Sequence, residues 1–191
     1  MNQLLDIELN KAQQVLSKGG IILYPTDTIW GLGCDATKAK AVEKIYALKN
    51  RQETKSMIIL LADFDQLQNY VHKVPPIAAD LIQSIDKPLT IIYNGARNLA
   101  HNLISKDGTI AIRIVKHHFC RALIRKLGKP LVSTSANLSG AQSPLFFTHI
   151  QDDIKKNVDY IVNLDQNIKV ANKASTIIKL ELSGKYTIIR E

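Results

Sequence analysis

Cysteine, acidic side chains, aromatic rings and long apolar runs are all scarce in this chain of 191 residues. Its two cysteines, Cys34 and Cys120, lie far apart and form no CxxC pair, so we expect free thiols in a reducing cytoplasm and no disulfide framework. No apolar run approaches the ~20 residues of a membrane helix, and the first twenty residues lack the apolar stretch of a signal peptide. The absences predict a cytoplasmic protein without a membrane segment.

Positive charge, by contrast, is in excess. The chain has 25 Lys and Arg against 17 Asp and Glu, a formal net charge of +8, and it has no acidic residue between Asp107 and Asp152. Six cations fall inside that stretch: Arg113, Lys116, Arg121, Arg125, Lys126 and Lys129. The excess favours a phosphate-bearing partner, either a nucleotide or a nucleic acid, although a solvated helix face explains such a run equally well.

The order of apolar segments indicates one α/β domain over residues 1–191, because strands and helices mix without a linker, a repeat or a low-complexity tract. We expect a mixed, twisted β-sheet flanked by helices. In detail, Thr37 is predicted to cap a helix that runs through Leu48. A second helix is expected from Ala62 to His72, and Thr109 to Ile114 is predicted to be a strand.

The densest polar segment is YPTDTIWGLGCDA, which begins at Tyr24 where a predicted strand ends. Thr26, Asp27 and Thr28 cluster at the exit of that strand, as in the wall of a binding pocket. Gly31 and Gly33 follow, and we interpret them as positions where the backbone approaches a ligand, although turn glycines are the simpler alternative. The pattern is neither a dinucleotide fingerprint nor a P-loop.

Two further segments carry polar side chains suited to anions. Lys49, Arg51 and Lys55 follow a predicted helix, where cations either complement the helix dipole or clamp a triphosphate. The segment from Ser133 to Gly140, followed by Ser143, is either a polar turn or part of an anion pocket. It has no GxSxG elbow for a nucleophilic serine, and the histidines lack metal-ligand spacing, so no structural zinc site is predicted.

Taken together and in this order, the segments resemble the YrdC/Sua5 family of L-threonylcarbamoyladenylate synthases. The resemblance rests on the YPTDTIWGLGCDA block, the KxR of Lys49 and Arg51, the TIAIR that ends at Arg113, and the SxN of Ser135 and Asn137. The Ser175–Thr176 pair and Arg190 also match, so the similarity extends from about residue 9 to residue 190. Each motif alone is weak, but six motifs in register are specific.

The resemblance implies a YrdC-like fold whose sheet lines a positively charged cavity. It implies a nucleotidyltransferase that condenses L-threonine, bicarbonate and ATP, with Mg²⁺, into L-threonylcarbamoyl-AMP and pyrophosphate. A tRNA threonylcarbamoyl transferase complex would then pass the group to adenosine 37 of tRNA, and tRNA itself is a further candidate partner.

The resemblance also assigns roles to individual residues. Lys49 and Arg51 would be catalytic, in a site with no protein ligand for a metal. Threonine would be bound by Thr28, Arg113, Ser133 and Ser175. ATP would be bound by Arg51, Lys55, Thr109, Ser135, Asn137, Ser143 and Arg190. Asp27 is left with two alternatives, which are binding Mg²⁺ or holding its loop.

Three departures from the family pattern bear on these expectations. Leu60 stands where many members have a polar or basic residue, and the segment around the Ser175–Thr176 pair, from Lys173 to Lys179, lacks the usual glycine and acid. The extra C-terminal domain of the longer Sua5 form is also absent, so the short YrdC-like form is expected. Two alternatives stay open: a module that binds double-stranded RNA or tRNA, and a YrdC-like paralogue with a different carbamoyl-type substrate.

Overall fold

The computed structural model of the chain describes residues 3–51, 57–168 and 174–191. Its helices are α1 (Gln3–Ser17), α2 (Ala39–Leu48), α3 (Leu67–Tyr70), α4 (Ala78–Ser84), α5 (His118–Leu127) and α6 (Asp152–Lys156). Its strands are β1 (Ile22–Tyr24), β2 (Gly31–Gly33), β3 (Ile58–Leu61), β4 (Leu89–Asn94), β5 (Thr109–Ile114), β6 (Leu131–Ser135), β7 (Tyr160–Ile161), β8 (Thr176–Leu180) and β9 (Tyr186–Arg190). Among these helices, none has the length and apolar composition to cross a bilayer.

The strands form one sheet in the order β7-β1-β2-β6-β3-β5-β4-β8-β9. Three neighbouring pairs are parallel, namely β1 with β7, β3 with β5 and β4 with β8. The other pairs are antiparallel. The predicted α/β class with a mixed sheet flanked by helices is therefore confirmed.

The two faces of the sheet have different neighbours. One face carries Leu23, Ile59 and Ile112, which belong to the larger apolar core together with Ile45 of α2. The other face carries Tyr24, Leu60 and Leu131, which pack with Leu16 of α1 and Phe119 of α5. Two helices thus cover part of this second face, and its remaining positions are available for a site.

Arg113 lies on that second face. It is the register partner of Leu60 on the neighbouring strand β3, and directly paired residues point to the same side of a sheet. Leu60 itself is fully buried in the apolar cluster beneath α1 and α5. The departure from the family pattern at Leu60 therefore places an apolar side chain in the core.

Local hydrogen bonds correct two sequence expectations. Thr37 does not cap α2, whose N-cap residue is Lys38; instead, the Asp35 carboxylate accepts hydrogen bonds from the backbone and the side chain of Thr37. The helix predicted from Ala62 to His72 is a 3₁₀ turn (Phe64–Gln66) followed by the short α3. The Asp63 capping box begins that turn, so the regular helix starts late.

The two glycines of the YPTDTIWGLGCDA block belong to strand β2, which the sequence did not predict. A Cβ on Gly33 would lie 2.6 Å from the Tyr24 ring and 2.6 Å from the Val132 carbonyl oxygen. The Tyr24 hydroxyl also donates a hydrogen bond to that carbonyl, at 3.1 Å. Gly33 therefore makes room for a buried tyrosine across the strands, and its interpretation as a point of ligand approach is wrong.

Candidate active site

A cavity of about 220 Å³ opens on the second face of the sheet. Eight of the twelve site residues predicted from the sequence line it: Thr28, Arg51, Arg113, Ser133, Ser135, Ser143, Ser175 and Arg190. They come from the loop after β1, the end of α2, strands β5, β6 and β9, and the segments that follow β6 and precede β8. The fold thus collects side chains that lie up to 162 positions apart in the chain (from Thr28 to Arg190).

The loop after β1 is shaped by Thr26, whose hydroxyl makes several local hydrogen bonds. This hydroxyl donates to the Ile29 carbonyl at 2.7 Å and accepts from the backbone N–H of Thr28 at 3.1 Å. A threonine that bonds its own turn in this way fixes the backbone two and three residues later. Thr26 therefore presents Thr28 to the cavity and does not line the cavity itself.

Arg113 reaches the cavity from the end of β5 and is held by two partners. Its Nη1 donates to the Thr28 hydroxyl at 3.1 Å, and its Nη2 lies 3.2 Å from Asp27 Oδ1. The other oxygen of Asp27 accepts the backbone N–H of Lys116 at 3.0 Å. Two roles were left open for Asp27, namely binding Mg²⁺ and holding its loop. Its contacts are those of a residue that holds the loop after β1 against the end of β5.

Ser175 and Arg190 form the opposite wall of the cavity. The Arg190 guanidinium donates to the Ser175 carbonyl oxygen through Nη2 at 2.7 Å and through Nε at 3.2 Å. The Ser175 hydroxyl is buried and lies 2.7 Å from the hydroxyl of Thr90 on β4. These contacts fasten β9 to the segment that enters β8, on the cavity side.

Lys49 and Asn137 do not line the cavity, although each lies two positions from a residue that does. The Lys49 ammonium is buried and donates to the carbonyl oxygens of Ser135 and Asn137. The Asn137 amide donates to the carbonyls of Leu138 and Ala141, at 2.8 and 2.6 Å. Together they fix the end of β6 and the loop that follows it, which carry Ser135 and Ser143. In each of the motifs KxR and SxN, one residue supports the wall and the other lines it.

Thr109 and Lys55 complete the predicted set. Thr109 begins β5 at the end far from Arg113, and its hydroxyl donates to Asp107 at 2.7 Å, outside the cavity lining. It does share its face of the sheet with Arg113, four residues further along the strand. Lys55 lies outside the described residues, as does Lys173 of the departing segment.

Three arginines line the cavity. They are Arg51, Arg113 and Arg190, and of these Arg113 is paired with the Asp27 carboxylate. Burial lowers the pKa of Arg190, with the nearby Arg113 charge as a second cause, and burial also lowers the pKa of Arg51. Burial lowers the pKa of Lys49 to about 8, helped by the neighbouring Arg51. These shifts mark cations withdrawn from water, whose charged forms a bound anion would stabilise.

The sequence missed the apolar part of the lining. Ile29, Met57, Ile58, Ala174 and Ile177 contribute to the walls. Ile58 and Met57 lie in a wholly apolar segment, where nothing in the residue pattern separates the side chains that face a cavity from those in the core. Only the register of β3 with β6, which pairs Ile58 with Ser133, reveals their position.

The donor set of the cavity does not suit a protein-bound Mg²⁺. Such an ion requires carboxylate or carbonyl oxygens, and both Asp27 oxygens already contact nitrogen donors. Within the described residues, no group of three His, Cys, Asp or Glu side chains is placed to hold a metal. We therefore derive no catalytic step from a metal held by these residues.

A family model that covers Sua5, YciO and YrdC proteins, described as "Telomere recombination", matches residues 14–191. A protein of Pseudoalteromonas translucida named threonylcarbamoyl-AMP synthase is 36% identical over 173 residues, which is 89% of this chain and 91% of the relative.

Two solved structures share the fold. P. abyssi Sua5 complexed with L-threonine has a TM-score of 0.83 at 26% identity; the match covers 95% of this chain and 53% of Sua5, so the chain spans about half of that protein. E. coli YciO has a TM-score of 0.83 at 28% identity, over 96% of this chain and 88% of YciO.

Proposed function

Because the chain belongs to the Sua5/YciO/YrdC family, we propose that it synthesises L-threonylcarbamoyl-AMP from L-threonine, bicarbonate and ATP and releases pyrophosphate. The observation that carries the proposal is the cavity in which three arginines and four serines meet. Such a lining binds anions through charge and hydroxyl hydrogen bonds, and it offers little for proton transfer. A reaction between two anions has these requirements.

In this proposal the threonine part lies at the end of the cavity where Arg113 and Thr28 are joined. The guanidinium of Arg113 is held by Asp27 and Thr28, so its remaining donors keep a fixed direction toward a carboxylate. Ser133 and Ser175 add hydroxyls at the same site. The support for this division is the 3.1 Å hydrogen bond between Arg113 and Thr28, which brings two of the four proposed threonine ligands into contact.

The ATP phosphates lie along Arg51, Ser135, Ser143 and Arg190 in the same proposal. Lys49 and Asn137 act on ATP indirectly, because their hydrogen bonds hold the loop that presents the serines. Lys49 is thus a positioning residue, whereas Arg51 is the better candidate for a residue that touches the reacting phosphate. Lys55 and Thr109 remain proposed ATP ligands.

The chemistry needs alignment more than a strong base. The amine of threonine and bicarbonate give a carbamate as a C–O bond of bicarbonate breaks and water is released. The anionic oxygen of the carbamate then attacks the α-phosphorus of ATP. The bond from that phosphorus to the oxygen bridging to the β-phosphate breaks, and pyrophosphate leaves. The arginines of the cavity neutralise the charge that develops there. Mg²⁺ would accompany ATP and would supply further charge neutralisation, and we expect phosphate to hold it more than the protein does, because both oxygens of Asp27 already contact nitrogen donors.

The product is an activated carbonyl compound, so a transferase must consume it. We propose that a tRNA threonylcarbamoyl transferase complex takes the group to adenosine 37 of tRNA, and that the synthesis takes place in the cytoplasm, where ATP and tRNA are available.

The test is an assay of pyrophosphate release with ATP, Mg²⁺ and bicarbonate, run with and without L-threonine and beside serine and valine. We expect release that depends on threonine. Release with another amino acid only would support a paralogue with a different substrate. Release regardless of the amino acid, or none from folded protein, would contradict the proposed synthesis.

An RNA-binding module is the weaker alternative, because two cations of the basic face of α5 are engaged within the protein. Arg121 and Arg125 both donate to the Asp63 carboxylate, at 2.9 and 2.6 Å. Binding of tRNA in a gel-shift assay, by folded protein that shows no amino-acid-dependent pyrophosphate release, would favour that alternative.

A further inference from the structure

A pair of buried hydroxyl groups lies at one wall of the cavity. Ser175 lines the cavity, and its hydroxyl oxygen is 2.7 Å from the hydroxyl oxygen of Thr90 on β4. Thr90 is fully buried and is not one of the described residues that line the cavity. Any effect of the Thr90 hydroxyl on a bound substrate must therefore pass through Ser175.

The register of the sheet places Thr90 among the residues of the cavity wall. Its neighbour Ile91 belongs to the larger core, so Thr90 points to the opposite face, which is the face of the cavity. Ile91 pairs with Ile112 of β5. The next residues along the two strands, Thr90 and Arg113, therefore lie at the same level. On its other side Thr90 pairs with Ile177 of β8, which lines the cavity.

The backbone around Ser175 is held from two sides. The Arg190 guanidinium donates to the Ser175 carbonyl oxygen at 2.7 and 3.2 Å. The backbone N–H of Thr176 donates to the Pro88 carbonyl oxygen at 3.0 Å, which ties the start of β8 to the start of β4. With the backbone fixed, the Ser175 hydroxyl retains only its own rotations, and the hydrogen bond with Thr90 restricts them.

The direction of that hydrogen bond follows from what Ser175 binds. The distance between the two oxygens allows either hydroxyl to donate. An ionised carboxylate carries no proton and only accepts hydrogen bonds. If Ser175 gives its single proton to a carboxylate, its oxygen must accept the proton of Thr90. The two hydroxyls then form an aligned chain that ends on the carboxylate, and each hydrogen bond of such a chain strengthens the next.

We propose that Thr90 is a positioning residue that makes Ser175 a hydrogen-bond donor to the carboxylate of the amino-acid substrate. The inference rests on the proposed function, in which the threonine part lies at Arg113 and Ser175. A guanidinium only donates, so Thr90 turns Ser175 into a second group that selects for acceptors. A neutral amide replaces one carboxylate oxygen by an NH₂ group, which would meet donors in place of acceptors.

The experiment is titration calorimetry of the full chain with L-threonine, L-threoninamide and ATP. Thr90→Val keeps the shape of the side chain and removes its hydroxyl. We expect the dissociation constant of threonine to rise about fivefold, the effect of one hydrogen bond. The dissociation constants of threoninamide and ATP should stay within about twofold, because neither depends on a donating Ser175. Thr90→Ser retains a hydroxyl and should restore the affinity for threonine.

A second background tests whether Thr90 acts through Ser175. Ser175→Ala removes the hydroxyl that Thr90 orients, so adding Thr90→Val to it should change the dissociation constant of threonine less than about twofold. Thr148→Val makes the same substitution at an exposed position of a 3₁₀ turn and is the matched control. Circular dichroism shows whether each variant is folded, and Thr90→Ala takes the place of Thr90→Val if the latter is not.

The outcomes separate this proposal from the proposed function. Equal rises in the dissociation constants of threonine and threoninamide in Thr90→Val would overturn the positioning role, since Thr90 would then only support the fold. A loss on the Ser175→Ala background as large as in the unmodified chain would overturn it too. A chain that shows the expected binding pattern but releases no pyrophosphate would overturn the proposed synthesis alone. A chain that does not bind threonine would overturn both.

Discussion

Arg113 is the side chain on which the proposed threonine end of the cavity depends, because it joins two segments that are distant in the chain. It leaves β5 on the second face of the sheet, contacts Thr28 and pairs with Asp27. Asp27 in turn accepts the backbone N–H of Lys116, the second residue after β5. The carboxylate is thus used to position a cation, and the rest of the positive charge in the cavity is left for substrates.

Asp27→Asn tests this arrangement. Asparagine retains an oxygen for the Lys116 N–H but removes the charge that holds Arg113. A charge-assisted contact of this kind contributes about 1.5–3 kcal/mol, so we expect the KM for threonine to rise at least tenfold. The KM for ATP should stay constant or fall, because the cavity gains positive charge.

Steady-state kinetics with each substrate varied in turn measures the two KM values separately. Asp6→Asn, which removes a carboxylate from an exposed position of α1, is the matched control and should change neither constant. Equal increases in both KM values would show that Asp27 only supports the fold.

At the residue scale, some of the predicted site residues line the cavity and others support its wall. The spacing of KxR cannot reveal that Arg51 reaches the cavity while Lys49 turns inward to two carbonyls, since both are cations at one helix end. The same holds for Ser135 and Asn137. The resemblance located the correct segments, but only the fold separates lining residues from those that support them.

At the scale of elements, strand β2 shows the limit of sequence patterns. Its three residues include two glycines, which have low strand propensity and are typical of turns. The neighbouring strands impose the conformation: β2 pairs with β1 on one side and β6 on the other, and Tyr24 lies over the glycines. By contrast, β5 was predicted with its observed bounds, because its apolar run begins directly after Gly108.

Gly33→Ala tests the steric role assigned to this glycine. The added methyl would lie 2.6 Å from both the Tyr24 ring and the Val132 carbonyl, and the carbonyl belongs to the backbone of a central strand. We expect a loss of about 1–3 kcal/mol in the free energy of unfolding, measured by urea denaturation. Gly31→Ala, whose nearest contact is 3.3 Å, should cost less. Equal losses for both variants would argue against the Tyr24 contact as the cause.

A second prediction at this scale concerns the link between α5 and the turn after β3. Hydrogen bonds from Arg125, followed by those from Arg121, lower the pKa of Asp63 from 3.8 to about 2. A carboxyl group with a lowered pKa in the folded state stabilises the fold above its ordinary pKa and loses this contribution as the pH falls. The stabilisation should therefore be complete near pH 6 and decline between about pH 4 and pH 2.

Urea denaturation of the unmodified chain and of Asp63→Asn measures this effect. The difference in the free energy of unfolding should be largest near pH 6 and shrink steadily below pH 4. It should be modest throughout, because the Asp63 side chain is 37% exposed and such pairs are screened by solvent. A difference that does not vary with pH would show that Asp63 acts through its capping hydrogen bonds alone.

At the scale of the whole molecule, the net charge of +8 includes two groups of arginines with different surroundings. Three arginines converge on the cavity, whereas Arg121 and Arg125 on α5 are drawn to Asp63 and tie that helix to the turn after β3. Composition alone favoured phosphate partners without distinguishing a nucleotide from a nucleic acid. The placement of the charges favours a nucleotide in a cavity.

The fold class and the order of the main elements were predictable, since they follow from apolar periodicity and the family motifs. The strand order was not, because β6 lies between β2 and β3 and β8 lies beside β4, and such pairings depend on contacts between residues far apart in the chain. The cavity is a consequence of those pairings, which bring Ser133, Arg113 and Ser175 together.

The most direct test of the central claim is the mass of the product formed from ¹³C-labelled bicarbonate, ATP and L-threonine. Pyrophosphate release alone would also follow from simple adenylation of threonine, which needs no bicarbonate. We predict a threonine–carbonyl–AMP adduct that contains the ¹³C atom and is absent when bicarbonate is removed. An adduct of threonine and AMP without the label would contradict the account.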